Sequence, residues 1–402
     1  MFCRMCGYRE FSFGLDMGLS PLVNSLIEKE DLNKPEQTFP LRLVRCNNCS
    51  LVQVQEPIDS EKIYKEQDYL YFSSDMPGLS DYFGEYADDL KNRFLLPSDF
   101  VLEIGSNDGV MLNHFRDEYA VLGVDPATNV AIRALADGIP TIPLFFNERL
   151  GKQIVKEFGR AKVVYGNNCI AHINDLDSVM KGVVNVLDDE GVFVVECNYW
   201  GGMVKNKNYS LVYHDHFSYF SLQNWTDYAR KFGLKVFDAT VTPAQGGSLR
   251  VFLSRGAFLP TERLRILQDE ERDSKLNTYQ TFLKYKNECL EEAQKLFGVV
   301  QDLKAQGKRI SAYGAAAKGF SVLQLAGITN EIDYFVDDSP AKQGRYTPIN
   351  HIPVISRTEA EDKLPDYFFI TAPNYARVII EKEQGFLDKG GKFLLCDSSI
   401  VG

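Results

Sequence analysis

Short apolar runs bounded by glycine or charged residues recur from residue 99 onward: Phe100–Ile104, Ala120–Val124, Val163–Tyr165, Gly191–Glu196, Leu234–Ala239 and Leu249–Ser254. Runs of this kind read as buried strands. The stretches between them, such as Asn129–Ala136 and Leu176–Leu187, space their apolar residues three and four apart, as one face of a helix requires. Strands alternating with helices predict a parallel sheet covered by helices on both faces. The alternation starts again at Arg309–Tyr313 and continues through Ile332–Val336, Tyr367–Thr371 and Lys392–Cys396. Each unit holds a strand, a glycine turn, a helix and a second strand ending in aspartate, at Asp125 and at Asp337. Between the units, residues 261–307 are rich in Glu, Lys and Leu and predict a long amphipathic helix with a charged, solvated face. Residues 61–98 also read as helical. They carry Asp68-Tyr69-Leu70-Tyr71-Phe72-Ser73-Ser74, whose aromatic residues suit either a core or a substrate lid. Residues 1–60 are short strand-like pieces, including Leu41–Arg45 and Leu51–Val54.

A chain of 402 residues exceeds the usual size of one core, so two or three domains are expected. The net charge of −11 argues against a general nucleic-acid binder, which would show a basic patch or stripe. No apolar run approaches the length of a membrane span, and Met1-Phe2-Cys3-Arg4 opens no signal-peptide core, so a cytoplasmic protein is expected. The eight cysteines do not form a disulfide scaffold in so long a chain. Cys169, Cys197, Cys289 and Cys396 are scattered and read as buried free thiols. Cys3/Cys6 and Cys46/Cys49 are different: each CxxC lets two thiolates reach one ion from a tight turn, and two pairs complete a tetrahedral zinc site. With four thiolate ligands no coordination position stays open, so the expected role is structural.

Two further constellations carry chemistry. After the Phe100–Ile104 run the chain turns through Gly105-Ser106-Asn107-Asp108-Gly109 and is expected to enter a helix at Val110. Glycines let backbone approach a ligand closely, and ligands of such sheets sit at the carboxyl ends of the strands. Asp125, at the tip of the next strand, is placed to accept both hydroxyls of a ribose. A dinucleotide site would want GxGxxG. GxxxG preceded by Glu103, with Asn107 and Asp108 beside a methionine moiety, is instead the pattern of S-adenosylmethionine sites. Gly166-Asn167-Asn168, after a later strand, strengthens it. The second constellation is Tyr213-His214-Asp215-His216. It could be a metal pair, but histidines two apart face the same way only on a strand, and no third ligand is near. A catalytic base is the better reading, because a neutral imidazole takes up a proton near neutral pH.

Two CxxC pairs, Glu103-Ile-Gly-Ser-Asn-Asp-Gly109, Asn167-Asn168-x-x-Ala-His172-Ile173, Tyr213-His-Asp-His-Phe-Ser-Tyr-Phe-Ser-Leu222, Gly246-Gly-Ser248-Leu-Arg250 and Tyr313-Gly314-Ala-Ala-Ala-Lys318-Gly319 follow one another in this order. The chain thereby resembles the S-adenosylmethionine-dependent C-methyltransferases that act on nucleotide-linked 4-keto-deoxysugars, over nearly all of its length. The resemblance implies an α/β protein of three domains. Residues 1–70 would bind zinc, 71–258 would form a Rossmann-like class I methyltransferase domain, and 259–402 a Rossmann-like domain that helps hold the nucleotide sugar. It implies that His216 is the base that enolises the sugar at C3, with Tyr213 and Asp215 orienting the sugar or stabilising the enolate. Glu is commoner than Asp at position 215, and a His commoner than Gln245 before Gly246. Tyr69 or Tyr71 matches the lid tyrosine, and Tyr71 is favoured as the catalytic one, with Tyr69 on the substrate. His172 joins Glu103, Gly105, Asn107, Asp108, Gly109, Asp125, Asn167 and Asn168 around the cofactor. Ser248, Arg250, Tyr313, Gly314 and Lys318 fall to the substrate, a dTDP- or GDP-sugar, and the turn at Gly314 with the Lys318 cation suits its diphosphate. A monomer is expected. An O- or N-methyltransferase would keep the cofactor motif without needing an enolising base. A non-enzymatic zinc module would not need Glu103, Gly105, Gly109 and Asp125 intact.

Overall fold

Three sheets, tied together by one long helix, make up the computed structural model, which describes residues 1–23, 25–66 and 69–402. Asp68 of the tyrosine segment lies outside the described residues.

The first sheet runs in the order Phe11–Ser20, Phe39–Cys46, Val52–Val54 and Ser218–Tyr219, all antiparallel. Its last strand comes from far along the chain, just after His216. The second sheet has the order Lys235–Thr242, Ser248–Ser254, Leu187–Asn198, Ala161–Asn167, Phe100–Ile104, Ala120–Val124, Thr141–Ile142. It is not wholly parallel, as expected: Ser248–Ser254 runs against both neighbours. The cause is the tight turn at Pro243–Gly247, too short to carry a crossover and therefore able to join only antiparallel strands. The third sheet, Val354–Ile355, Phe335–Val336, Ile310–Tyr313, Tyr367–Ile370, Lys392–Leu394, Ile400–Val401, is parallel except for its last strand. The architecture is α/β with Rossmann-like units, as expected.

Residues 261–307 form two helices, Glu262–Asp273 and Tyr279–Ala305. The second buries Phe282, Tyr285, Cys289, Ala293, Leu296, Val300 and Leu303, a stripe spaced three and four apart. Phe282 fills the space beside Gly14 of the first strand, where a Cβ would come within 2.2 Å of its ring, and Tyr285 packs edge-on against Trp200 at 4.8 Å. Gln324 of the helix Ala317–Ala326 donates to the Met17 and Leu19 carbonyls of that strand. The aromatic segment 69–76 is not helical. It forms an extended strap between the helices Ser60–Tyr64 and Leu79–Phe94, apart from one 3-10 turn at Ser73–Asp75. Among the described residues no helix is long and apolar enough to cross a membrane.

Candidate active site and metal centre

One cavity of about 2190 Å³ lies where the carboxyl ends of the second and third sheets face each other under the strap. Pockets for a drug-sized ligand span roughly 300–1,000 Å³, so this one has room for two ligands. Ile104, Gly105, Asn107, Asp125, Asn167, Asn168 and His172 line one end; Tyr313, Gly314, Lys318 and Lys342 line the other; Tyr69, Tyr71, Tyr213, Asp215, His216 and Gln245 lie along it.

At the first end the glycine turn is built as its residues require. Gly105 has φ +68°, and a Cβ there would come within 2.4 Å of Cys169 Cβ. The turn does not enter a helix at Val110. Gly109, at φ +80°, ends it, and only the 3-10 turn Leu112–His114 follows. Asp125 accepts from the Asn107 and Ala127 amides at 2.9 Å each, and burial pushes its carboxyl up to about 6. Oδ1 of Asn167 and of Asn168 are buried and without a hydrogen-bond partner among the described residues. Burial of unsatisfied acceptors is costly, and their place on the cavity wall suits a donor-bearing ligand such as an aminoacyl group. The ribose-accepting aspartate, the close-approach glycine and the orphaned acceptors fit S-adenosylmethionine.

Asn107 and Asp108 do something the pattern did not foretell: their side chains hold the strap. Asn107 accepts from the Ser73 amide at 2.8 Å and donates to the Tyr71 carbonyl at 3.1 Å, while Asp108 accepts from the Ser74 amide and hydroxyl. Asn129 pairs in both directions with the Tyr69 backbone. Glu103 stays beneath the turn, bonded to Tyr165 at 3.2 Å and held well above the usual carboxyl range by burial.

At the centre, His214 and His216 diverge. His214 packs edge-on against Phe39 in the first sheet, away from the cavity, so the two imidazoles form no metal pair. His216 points inward. Its Nδ1 lies 2.7 Å from the Leu211 carbonyl, which can only accept, so Nδ1 carries the proton and Nε2 the lone pair. The Tyr213 hydroxyl stands 3.0 Å from Nε2, and the Asn198 amide at 3.2 Å. Burial, reinforced by the His172 ring 5.0 Å away, holds His216 well below its ordinary value and hence neutral. Burial raises the Tyr213, Tyr69 and Tyr64 hydroxyls, with Asp215 adding to each. Tyr64 bonds His172 Nδ1 at 2.6 Å, and the other nitrogen of His172 has no partner among the described residues.

At the far end, Lys318 bonds the carbonyl and side chain of Gln245 at 3.0 Å each, and burial pushes it down to about 7. Ser248 and Arg250, expected at the substrate, do not line the cavity. Arg250 turns into the domain, where it bonds Glu196 at 2.8 Å and stacks 3.2 Å above the Tyr86 ring. Asn198 was missed, although its position at the carboxyl end of Leu187–Asn198 is where ligands of such sheets bind.

The four N-terminal cysteines converge. Cys3 and Cys49 sulfurs lie 3.4 Å apart, Cys6 and Cys46 3.6 Å, and all four within 4.8 Å. Zn–S bonds of about 2.3 Å give tetrahedral S···S edges of about 3.8 Å, so the set fits zinc. Each CxxC turn closes the same way, with the residue after it in the left-handed region, Gly7 at φ +73° and Ser50 at φ +66°, and its amide bonded back to the first cysteine's carbonyl. Ser50, costlier there than glycine, is gripped by Arg45.

A cysteine-clustered N-terminal sheet and a glycine turn facing a buried aspartate at the tip of the next strand are the marks of an S-adenosylmethionine-dependent methyltransferase. Residues 3–64 match a zinc binding domain family, 79–239 a methyltransferase domain family, and 243–396 the C-methyltransferase C-terminal domain family. The C-methyltransferase NovU of Streptomyces niveus is 33% identical over 398 residues, 98% of this chain and 94% of its own. The chain belongs to this family of C-methyltransferases, with S-adenosylmethionine as methyl donor and zinc on its cysteines. Among solved structures, the magnesium protoporphyrin IX methyltransferase of Synechocystis PCC 6803 with bound SAH covers 44% of this chain and 84% of its own (11% identity, TM-score 0.36). An S-adenosylmethionine-dependent methyltransferase from Clostridium acetobutylicum covers 46% and 94% (11%, TM-score 0.35).

Proposed function

We propose that the chain methylates C3 of a nucleotide-linked 4-keto-deoxyhexose, with dTDP or GDP as the nucleotide, in the formation of branched deoxysugars. The observation that carries this reading is the neutral His216, its unprotonated Nε2 held between Tyr213 and Asn198 on the cavity wall. A 4-keto group acidifies the C3 hydrogen. His216 Nε2 takes that proton, and the C3–H electron pair becomes the enolate. The Tyr213 hydroxyl, 3.0 Å from the same nitrogen, is within reach of the sugar and stays a hydrogen-bond donor because burial raises it. Asp215 and Tyr71 orient the sugar, and the strap that carries Tyr69–Ser74 excludes water from the enolate. S-adenosylmethionine supplies the methyl as an electrophile on a sulfonium and leaves as S-adenosylhomocysteine. Asp125, Gly105, Asn167 and Asn168 would hold it. Lys318 and the turn at Gly314 receive the diphosphate, and residues 259–402 act as the nucleotide-sugar module behind 71–258.

Membership among C-methyltransferases favours this reading over O- or N-methylation, neither of which needs an enolising base. The test is exchange of the C3 hydrogen of a 4-keto sugar nucleotide with solvent deuterium. Wild type should exchange it and His216→Ala should not. Equal exchange by both, or none by wild type, overturns the assignment.

A further inference from the structure

The zinc knuckle reaches the candidate base through one side chain. Arg4 stands between Cys3 and Cys6, inside the first CxxC turn, and its guanidinium reaches the two loops that carry the cavity's histidines. Nη1 donates at 3.0 Å to the carbonyl of Phe217, the residue after His216. Nε donates at 3.0 Å to Oδ1 of Asn174, two residues after His172. Nη1 also reaches the Val54 carbonyl at 3.0 Å and Gln53 Oε1 at 2.9 Å, so the same group is anchored to the first sheet. The Phe217 carbonyl accepts in addition from the Val54 amide at 2.9 Å, and the Phe217 amide donates to Ala171, next to His172. Just beyond, Ser218–Tyr219 pairs with Val52 and Gln53 as the fourth strand of the zinc-held sheet. Tyr219 then donates to the Leu211 carbonyl at 3.1 Å, the acceptor that sets the His216 tautomer.

We infer that Arg4 is a positioning residue for the reaction. It fixes the spacing of the His216 and His172 loops, and through it the zinc knuckle sets the aim of the base. This rests on the proposed role of His216. An arginine suits the place because its donors form a rigid planar fork, whereas a lysine offers one flexible point charge. One fork can therefore serve two loops and a sheet edge at once. Misplacement of a catalytic group by about 1 Å can cost a factor of about 10² in rate, so loosening this fork should lower turnover while Gly105 and Asp125, at the ends of the parallel strands, stay in place.

The test compares Arg4→Met, which keeps the apolar stem and loses the fork, with Arg4→Lys and with Asn174→Ala, which removes one arm only. The chain has five histidines, few enough for imidazole nitrogens of the intact zinc protein, labelled with ¹⁵N-histidine, to be resolved one by one. Arg4→Met should retain one zinc per chain and still bind S-adenosylhomocysteine by calorimetry. Its His216 and His172 resonances should shift while those of His114, half-buried beside Gly84 and remote from the fork, stay in place. On a 4-keto sugar nucleotide, kcat should fall about 10- to 100-fold with KM little changed, Arg4→Lys should recover part of it, and Asn174→Ala should move mainly His172. Unmoved His216 and His172 resonances in both Arg4→Met and Asn174→Ala overturn the inference, as does loss of zinc from Arg4→Met with the same resonances unchanged. Should wild type fail to exchange the C3 hydrogen, the assignment of the base falls, while the resonance shifts still decide whether Arg4 sets the two loops.

Discussion

Arg250 offers a quantitative test of where the site ends. Its side chain is 9% exposed and that of its partner Glu196 0%, at 2.8 Å. Tyr82 donates to both Glu196 oxygens at 2.8 and 2.7 Å and accepts from Arg250 Nη2 at 2.8 Å, closing a buried triangle. Arg250→Met removes the cation and leaves the carboxylate with only the Tyr82 and Thr242 hydroxyls. Breaking one partner of a buried pair costs about 3–5 kcal/mol, and the lost stacking on Tyr86 belongs to the same deletion. At about 4 kcal/mol, and a urea m-value of about 2 kcal/mol/M, the unfolding midpoint should drop by about 2 M. Trp225, packed against Phe220 and Tyr228, follows unfolding of the methyltransferase part by fluorescence in a Trp200→Phe background, which removes the signal of the tryptophan that packs on Tyr285 of the long helix. Glu196→Gln should be destabilising too, since it strands the guanidinium. The double variant Glu196→Gln/Arg250→Met should lose at least about 2 kcal/mol less than the sum, because neither charge is then left unpaired. Arg250→Met with an unmoved midpoint and a raised KM for the sugar nucleotide would refute the argument and return Arg250 to the substrate.

Gly105→Ala should weaken S-adenosylmethionine binding severely by calorimetry, because the new Cβ meets Cys169 at 2.4 Å in a left-handed conformation that costs an L-residue about 1–2 kcal/mol. The ribose contact proposed for Asp125 is best made by the carboxylate, and burial raises its value to about 6. S-adenosylmethionine affinity should therefore fall as pH drops below that value, about tenfold per unit, and Asp125→Asn should flatten the profile. The raised value has the opposite sign for the unliganded fold: the group favours folding at low pH, an advantage lost between its ordinary value of 3.8 and about 6 as pH rises, visible as a small loss of melting temperature. Lys318, brought down to about 7 by burial, must be protonated to hold a diphosphate, so dTDP or GDP affinity should decline above pH 7 in wild type and lose that dependence in Lys318→Met.

What could be read without the structure was whatever depends on neighbours along the chain. Leu122–Val124 and Phe100–Ile104 are buried on both faces, and the strands coincide with the runs read from the sequence. The left-handed turns at Gly105 and after each CxxC are local as well. The strand Phe11–Ser20 escaped notice because two register shifts, at Phe13/Asp16 and Asp16/Leu19, break its alternation. The direction of a side chain over tens of residues was equally hidden. Nothing local tells that Arg250 turns to Glu196, that Asn107 and Asp108 reach back to Ser73 and Ser74, or that His214 and His216 part company. Each depends on which elements pack together, and polar groups with several possible partners take whichever one burial brings within 3 Å. The expected zinc domain was the subtler case. Its cysteines are plain in the sequence, yet the fourth strand of its sheet arrives from residues 218–219.

That strand alters what zinc removal should do. Structural zinc contributes about 10–16 kcal/mol to the folding of small finger peptides, comparable with the whole stability of a domain at about 5–15 kcal/mol. Chelation should therefore unfold the sheet formed by Phe11–Ser20, Phe39–Cys46 and Val52–Val54, whose two knuckles the four thiolates join through the metal. If the sheet were a detached cover over the sugar, only sugar affinity would suffer. Ser218–Tyr219 is bonded into it, however, and Phe217, next to the proposed base, loses both the Val54 amide and the Arg4 fork with it. The methyl-donor end is held differently: Gly105 and Asp125 sit in the parallel sheet, and the strap is pinned from below by Asn107, Asp108 and Asn129. Stoichiometric chelation, followed by metal analysis, should thus abolish exchange of the C3 hydrogen even at saturating sugar nucleotide while S-adenosylhomocysteine still binds. Exchange that persists at high sugar concentration would make the zinc sheet a cover and nothing more. Parallel loss of S-adenosylhomocysteine binding would show that the parallel sheet does not stand without its neighbour.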